Sequence, residues 1–223
     1  MQKLTFTGHE TFHCRHFWLK KGYDFHKTYQ KATTEEAILA LGVGKNMVQA
    51  INFWMRAFAI KDTDNQLTEL ADRLLSDEGY DPYLEDTASL WLLQYHLVKQ
   101  QAASIFALVF QDFRKTRIDG QFTVQQLLQY LLKVSQQEGA SVKESTLRND
   151  VKVFLKSYYL EQSGQKEAED NLNALLLELN LLQGVAGKHL KEGAYYQLNV
   201  KERTNIPRDP NDSTARERRF AHR

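Results

Sequence analysis

Residues 41–54 read LGVGKNMVQAINFW, and this stretch decides between two folds. Its Gly-Val-Gly-Lys matches part of a phosphate-binding loop. A Walker loop also needs a glycine five residues before Gly44, where the chain has Leu39, and a serine or threonine after the lysine, where it has Asn46. Such a loop follows a strand, whereas the residues before Gly42 predict a helix. We therefore interpret the glycines as a sharp turn between two packed helices.

The flanking residues predict a winged helix-turn-helix. Thr33 and Glu36 form a capping-box pattern that opens a helix ending at Gly42. A second helix, from Lys45 to about Phe58, has one apolar stripe at three- and four-residue steps. A polar, turn-rich segment at residues 60–67 predicts a small hairpin, and a further helix, Glu69–Leu75, follows the potential cap Thr68.

Polar side chains on the opposite face of the second helix predict a DNA-reading surface. Lysine and arginine bind phosphate or guanine, and glutamine and asparagine pair with adenine edges. A solvated helix face is the alternative interpretation, but a winged module places this helix in the major groove. The predicted DNA contacts here are Lys45, Asn46, Gln49, Asn52 and Arg56, with Lys61 in the wing.

The rest of the chain predicts a helical middle and a second module. Helices are expected after Asp86 and over about residues 103–115, and a second capping box, Thr123 to Gln126, opens another. Further helices are expected from about Ser145 and over roughly 168–179, and residues 181–200 predict a β-hairpin. The candidate DNA contacts of this module are Arg148, Asn149, Lys152 and Lys156.

Composition restricts the class of protein. The 223 residues carry 29 Lys and Arg against 28 Asp and Glu, so affinity for nucleic acid has to come from a local patch. The lone Cys14 excludes an internal disulfide and suits a reducing compartment, which predicts a cytoplasmic protein. The sequence has neither a signal-peptide core nor an apolar run long enough to span a membrane, so no membrane partner is expected.

The segment TGHETFHCRH, residues 7–16, raises a metal site as an alternative. On a helix, His9 and His13 would share one face. Cys14 would point elsewhere, and no second group of cysteines or histidines follows at zinc-finger spacing. The other interpretation is an ordinary helix over about residues 10–21 that packs Phe12, Trp18 and Leu19. We therefore predict no metal and no cofactor.

Catalytic motifs are also missing from the sequence. The enzymatic alternative is acid–base chemistry by His9 and Glu10, which are neighbours that would point in different directions on a helix. We expect a protein that is not an enzyme.

Four segments together resemble the bacterial family known as domain of unknown function 4007 (DUF4007). They are GHETFHCRHFWLKKGYD at 8–24, LGVGKNMVQAINFW at 41–54, LTELADRLL at 67–75 and DPYLEDTASLWLLQYHL at 81–97. The resemblance implies genes near the sulfur-transfer enzymes of DNA phosphorothioation and other phage-defence or DNA-modification loci, but no mechanism. It also implies family residues of unknown role in the first motif, among them His9, Glu10, Arg15 and Lys21.

Residues 201–223 depart from the resemblance. They carry seven Lys or Arg against four acids, where family members usually continue with helices. A shortened gene, a tail that contacts phosphate and a merely solvated tail are the alternatives.

The predicted fold is mainly α with small β-hairpin wings, as two winged-helix-like units joined by a helical middle. The expected boundaries are 1–80, 81–120, 121–200 and a basic tail over 201–223. The predicted function is DNA binding in a bacterial DNA-modification or phage-defence system, with double-stranded DNA as partner. The alternative is an adaptor that contacts a protein of such a system and not DNA.

Overall fold

Helices provide most of the secondary structure. The computed structural model describes residues 4–29, 31–160, 173–185 and 194–199, and in these ranges the protein has eight α-helices and a small three-stranded sheet. The helices are α1 (Trp18–Thr28), α2 (Thr34–Leu41), α3 (Lys45–Ala57), α4 (Glu69–Leu75), α5 (Thr87–Gln100), α6 (Ser104–Ala107), α7 (Val124–Gln137) and α8 (Glu144–Tyr158). The strands are β1 (Gln121–Thr123), β2 (Leu182–Gly184) and β3 (Tyr195–Leu198).

Local capping signals located the starts of four of the eight helices correctly. Thr33 and Thr123 each form the predicted capping box, at the starts of α2 and α7. Thr68 caps α4 by accepting from Ala71 N, and Asp86 caps α5 by accepting from Ala88 N. These caps satisfy backbone donors that a helix leaves free at its first turn.

The glycine turn between α2 and α3 has the predicted form. Gly42 adopts the left-handed conformation, with φ of 65°, and its N–H donates to Ile38 O. The apolar stripe of α3 is buried, including Val48, Ile51 and Met55. The predicted hairpin after α3 is reduced to one bridged pair, Lys61 with Leu67.

The sheet has the strand order β1-β3-β2, and both pairings are antiparallel. The predicted hairpin over 181–200 is confirmed by β2 and β3, where Leu182 lies opposite Leu198. The sequence did not reveal β1, a three-residue strand that leads directly into α7. Phe122, in the middle of β1, is buried against Tyr196 of β3.

Three expected helices differ from the structure. Residues 10–17 form an irregular loop, because Glu10 and Thr11 have positive φ angles, and α1 begins only at Trp18. The expected helix over 103–115 is divided into α6, a π-helical turn over Leu108–Asp112 and a 3₁₀ turn over Phe113–Thr116. Of the helix expected over 168–179, residues 168–172 lie outside the described residues, and the remainder holds a 3₁₀ turn, Leu177–Leu179.

One hydrophobic core extends from Cys14 to Leu198, so residues of both expected units share it. The helices α3 and α5 are in contact, and α8 contacts α6 and α7.

Within the described ranges, no helix is both long and apolar enough to cross a membrane. The expected tail, 201–223, lies outside the described residues.

Candidate nucleic-acid interface

The GHETF segment forms a tight loop and not the expected helix. Gly8, Glu10 and Thr11 all have positive φ angles. A Cβ atom at Gly8 would lie 2.7 Å from a ring carbon of Phe53, so the loop approaches α3 too closely for a side chain. Both the backbone conformation and the close approach therefore favour glycine at this position.

His9 and Asp150 form a buried pair at the centre of this loop. The Nε2 atom of His9 lies 3.2 Å from Oδ1 of Asp150, and both side chains are almost completely buried. Thr11 N–H donates to Nδ1 of His9, which requires that ring nitrogen to be unprotonated. His9 therefore donates from Nε2 to the Asp150 carboxylate, which also accepts from Thr7 N–H at 3.1 Å.

The same loop packs on α3. The His9 ring stacks on Trp54 with ring centroids 6.3 Å apart, and meets Phe53 edge-on. Trp54 Nε1 donates to Phe12 O at 3.0 Å. Since Asp150 belongs to α8, the loop contacts both helices that carry the predicted DNA-reading residues.

The other family-motif residues, and Cys14 beside Arg15, lie outside this pair. Glu10 is exposed in the loop, and Lys21 is exposed on α1. The guanidinium of Arg15 lies 5.5 Å from the centroid of the Trp18 ring, and the Arg15 backbone bridges to Ala174. Burial raises the pKa of the Cys14 thiol, which favours its protonated form.

The outward face of α3 carries four of its predicted contacts in exposed positions. They are Lys45, Asn46, Gln49 and Arg56. Lys45 has no acidic partner in the described part of the chain. Arg56 donates to Oδ1 of Asn65, a residue of the turn after α3, at 3.1 Å. Phe53 and Trp54 of the same helix are buried and face inward.

Asn52 and Lys61 differ from this exposed set because they belong to an internal cluster with His26 of α1. The Nε2 atom of His26 lies 3.0 Å from Oδ1 of Asn52 and 3.1 Å from Nζ of Lys61. Lys61 is only 5% exposed, and its burial, with Arg56 nearby, lowers its pKa to about 8. Burial, and then the charge of Lys61, lower the pKa of His26. Lys61 would have to leave these partners to reach a phosphate.

The second predicted face, on α8, is exposed at all four positions. Arg148 pairs with Glu144 one turn earlier, at 2.6 Å. Lys152 and Lys156 have no acidic partner among the described residues. Asp150 is on the opposite, buried side of the same helix, so α8 presents cations outward while it holds His9 inward.

A family model described as "Protein of unknown function (DUF4007)" matches residues 6–210. The chain belongs to the DUF4007 family. A comparison with curated proteins gave no match.

Two solved structures resemble this DUF4007 chain. A crystal structure of SspB matches it with a TM-score of 0.71, and a magnesium-bound crystal structure of SspB matches with a TM-score of 0.75. Both are 28% identical, and the match covers 92% of this chain. The chain spans 62% of the length of the SspB chains.

Sequence reasoning missed two residues that organise this region of the DUF4007 chain. Asp150 lies 141 positions from His9, so no local spacing joins them. Its one signal was an acid at an inward position of α8, next to Val151. His26 is the second residue, and its partners Asn52 and Lys61 lie 26 and 35 positions along the chain.

Proposed function

We propose that this DUF4007 chain is a DNA-binding winged-helix protein of a bacterial DNA-modification or phage-defence system. The observation that carries the proposal is the pair of outward polar faces on α3 and α8. One loop contacts both helices through the buried side chain of His9. Two helices fixed to one loop would present their cations to a duplex without first having to be ordered.

The start of α3 supports phosphate contact. Its N-cap, Gly44, has no side chain to bond the first backbone N–H groups, and Lys45 follows at once. Gly44 has a φ of −71°, and a Cβ atom there would meet nothing within 4 Å. Neither conformation nor packing thus requires glycine at residue 44. A glycine at this position would let a phosphate approach the helix N-terminus closely.

The order of elements in the C-terminal half supports the winged-helix assignment. Strand β1 leads into α7 and α8, and β2 and β3 return as a hairpin, with β3 between β1 and β2. In a winged helix this order places the second helix, here α8, in the recognition position. Arg148, Asn149, Lys152 and Lys156 are on its exposed side.

The genomic setting in the proposal comes from the family. The DUF4007 resemblance implies neighbouring genes for DNA phosphorothioation or phage defence, and the similarity to SspB is consistent with one such setting. We assign no catalytic role to the GHETF loop in this proposal, because the protein itself supplies partners for both ring nitrogens of His9.

The test is fluorescence anisotropy of the full chain on mixed-sequence duplex DNA over a salt series. Lys45→Ala with Arg56→Ala should weaken binding and lower the slope of log affinity against log salt by about 2, since each phosphate contact contributes about 1. Lys152→Ala with Lys156→Ala should lower the affinity and the salt slope in the same way, if α8 contacts DNA phosphates.

The matched control is Arg73→Ala with Lys133→Ala. It removes the same charges, one arginine and one lysine, from exposed positions on α4 and α7. An equal loss of affinity in this control would mean that only total charge matters. Unchanged affinity in both test variants would refute the proposed faces.

An adaptor function is the second candidate, and one surface favours it. Tyr80, 81% exposed, and Leu92 line a groove beside α5 together with Leu74 and Ala88. Exposed apolar side chains that share a groove are typical of a protein-binding surface. If the chain is an adaptor, Tyr80→Ala should abolish capture of a partner encoded in the same locus and leave duplex affinity unchanged. Unchanged capture together with weaker duplex binding would favour the DNA-binding function.

A further inference from the structure

A second concave site lies on α5 and is not used by the proposed interface. A groove of about 580 Å³ is bounded by one stripe of α5 and by the π-helical turn Leu108–Asp112. This volume is in the range of small-ligand sites, about 300–1,000 Å³. The lining residues are Trp91, Gln94, Tyr95, Val98, Lys99, Gln101 and Gln111.

Gln94 presents fixed hydrogen-bond donors to this groove. Its side chain is only 6% exposed, and its Oε1 accepts from the buried Tyr158 hydroxyl at 2.6 Å. Burial raises the pKa of Tyr158, which keeps that hydroxyl a donor. The amide nitrogen of Gln94 has no partner in the described residues, so its two N–H groups are left for a ligand.

Aromatic rings and a cation complete the groove. Trp91 and Tyr95 are four residues apart on α5, and therefore on the same side of the helix. Tyr95 is 56% exposed, and Nζ of Lys99 lies 5.4 Å from its ring centroid. Gln111 belongs to the π-helical turn, a distortion that often marks functional sites.

We propose that this groove binds the base of a nucleotide. The base would stack on Tyr95 and Trp91, and its ring nitrogen or carbonyl acceptors would receive the N–H groups of Gln94. Gln101 and Gln111 supply further amides, which match the edge of a base as glutamine does for adenine. Lys99 would approach the phosphate. The ligand is a free nucleotide or an unstacked base of a DNA strand, since both offer the same chemistry.

The proposal does not depend on the α3 and α8 faces. Its first test is isothermal titration of the full chain with adenosine 5′-monophosphate. Tyr95→Ala should weaken binding about tenfold, because stacking of one base on an aromatic ring gives an effect of this order. The control, Tyr83→Ala, removes a tyrosine that is 54% exposed and does not line the groove.

A second variant tests the donors directly. Gln94→Glu keeps an oxygen to accept from Tyr158 and replaces the donating nitrogen with a second oxygen. It should weaken nucleotide binding about tenfold or more, with the fold checked by thermal melting and circular dichroism. If the wild-type chain binds the nucleotide and either variant binds it equally well, the proposal is wrong.

The source of the base is tested with 2-aminopurine. Quenching of an extrahelical 2-aminopurine in a duplex, lost in Tyr95→Ala, would support an unstacked DNA base. Saturable binding of adenosine monophosphate without such quenching would support a free nucleotide. If both signals are absent up to about 1 mM ligand, the proposal is wrong. This holds whatever the affinity of the chain for an ordinary duplex.

Discussion

Asp150 is the residue on which the GHETF loop most depends. Its carboxylate accepts from both His9 Nε2 and Thr7 N–H, and its side chain is fully buried. The loop contains three residues with positive φ, which is costly for Glu10 and Thr11. The contacts of His9 with Asp150 and Trp54 offset that cost, so the family motif has a structural reason in this chain.

The first prediction concerns this carboxylate. Asp150→Ala should lower the free energy of unfolding by about 2–4 kcal/mol, because it leaves a buried imidazole N–H without an acceptor. Asn149→Ala, its exposed neighbour on α8, should change stability by less than about 0.5 kcal/mol. Urea denaturation of both variants measures the difference. A loss below about 1 kcal/mol at Asp150 would show that the loop is held by packing alone.

The second prediction concerns Lys61 and pH. Its pKa in the folded protein is about 8, below its ordinary value of 10.5. Between these values the unfolded chain binds more protons than the folded chain, so the free energy of unfolding should rise as pH increases from about 8 to 10.5. Lys61→Met should remove that rise. Denaturation at closely spaced pH values measures the slope.

The control for Lys61 is Lys21→Met, which removes an exposed lysine of α1 and should leave the slope as it is. The same Lys61→Met variant should raise the pKa of His26, since the ammonium group opposes protonation of that ring. NMR titration of His26 follows this directly. If the free energy of unfolding still rises with pH in Lys61→Met, another group causes the rise.

At the scale of elements, the turn between α2 and α3 contains two glycines whose backbone conformations place different demands on the side chain. Gly42 has a positive φ, whereas Gly44 has an extended backbone that any residue adopts. Gly42→Ala should therefore cost about 1 kcal/mol of stability. Gly44→Ser should leave stability equal or slightly higher, since serine is a good N-cap. Thermal unfolding compares the two, and equal losses would mean that the turn changes shape with either substitution.

The elements that the sequence predicted well are those specified by nearby residues. Thr33 and Glu36 form their capping box within four positions, and α2 begins where they place it. The GHETF loop is specified by Asp150, far along the chain, and the helical pattern of residues 10–17 is overruled by that contact. The exposed face of α3 followed from periodicity, whereas the contact of Lys61 with His26 of α1 joins residues 35 positions apart.

The groove on α5 shows the same division. Trp91, Gln94, Tyr95 and Val98 have the spacing of one helix face, which the sequence displays. The anchoring of Gln94 by Tyr158 joins residues 64 positions apart. The π-helical turn that carries Gln111 interrupts an apolar pattern that predicts one continuous helix.

For the whole molecule, the continuous core raises the question of cooperativity. The sequence predicted two winged units with a connector, but the buried residues form one cluster, and the His9–Asp150 pair joins the first loop to α8. A shared core of this kind favours unfolding in a single step.

The last prediction follows from the position of the tryptophans. Trp18, Trp54 and Trp91 are the three tryptophans of the chain, so fluorescence reports only its first half, whereas far-UV circular dichroism reports the helices of both halves. If the halves unfold together, the urea transitions from the two methods should coincide. In Asp150→Ala the two transitions should separate, because the buried contact between the loop and α8 is lost. Transitions that are already separate in the wild-type chain would show two units that unfold independently.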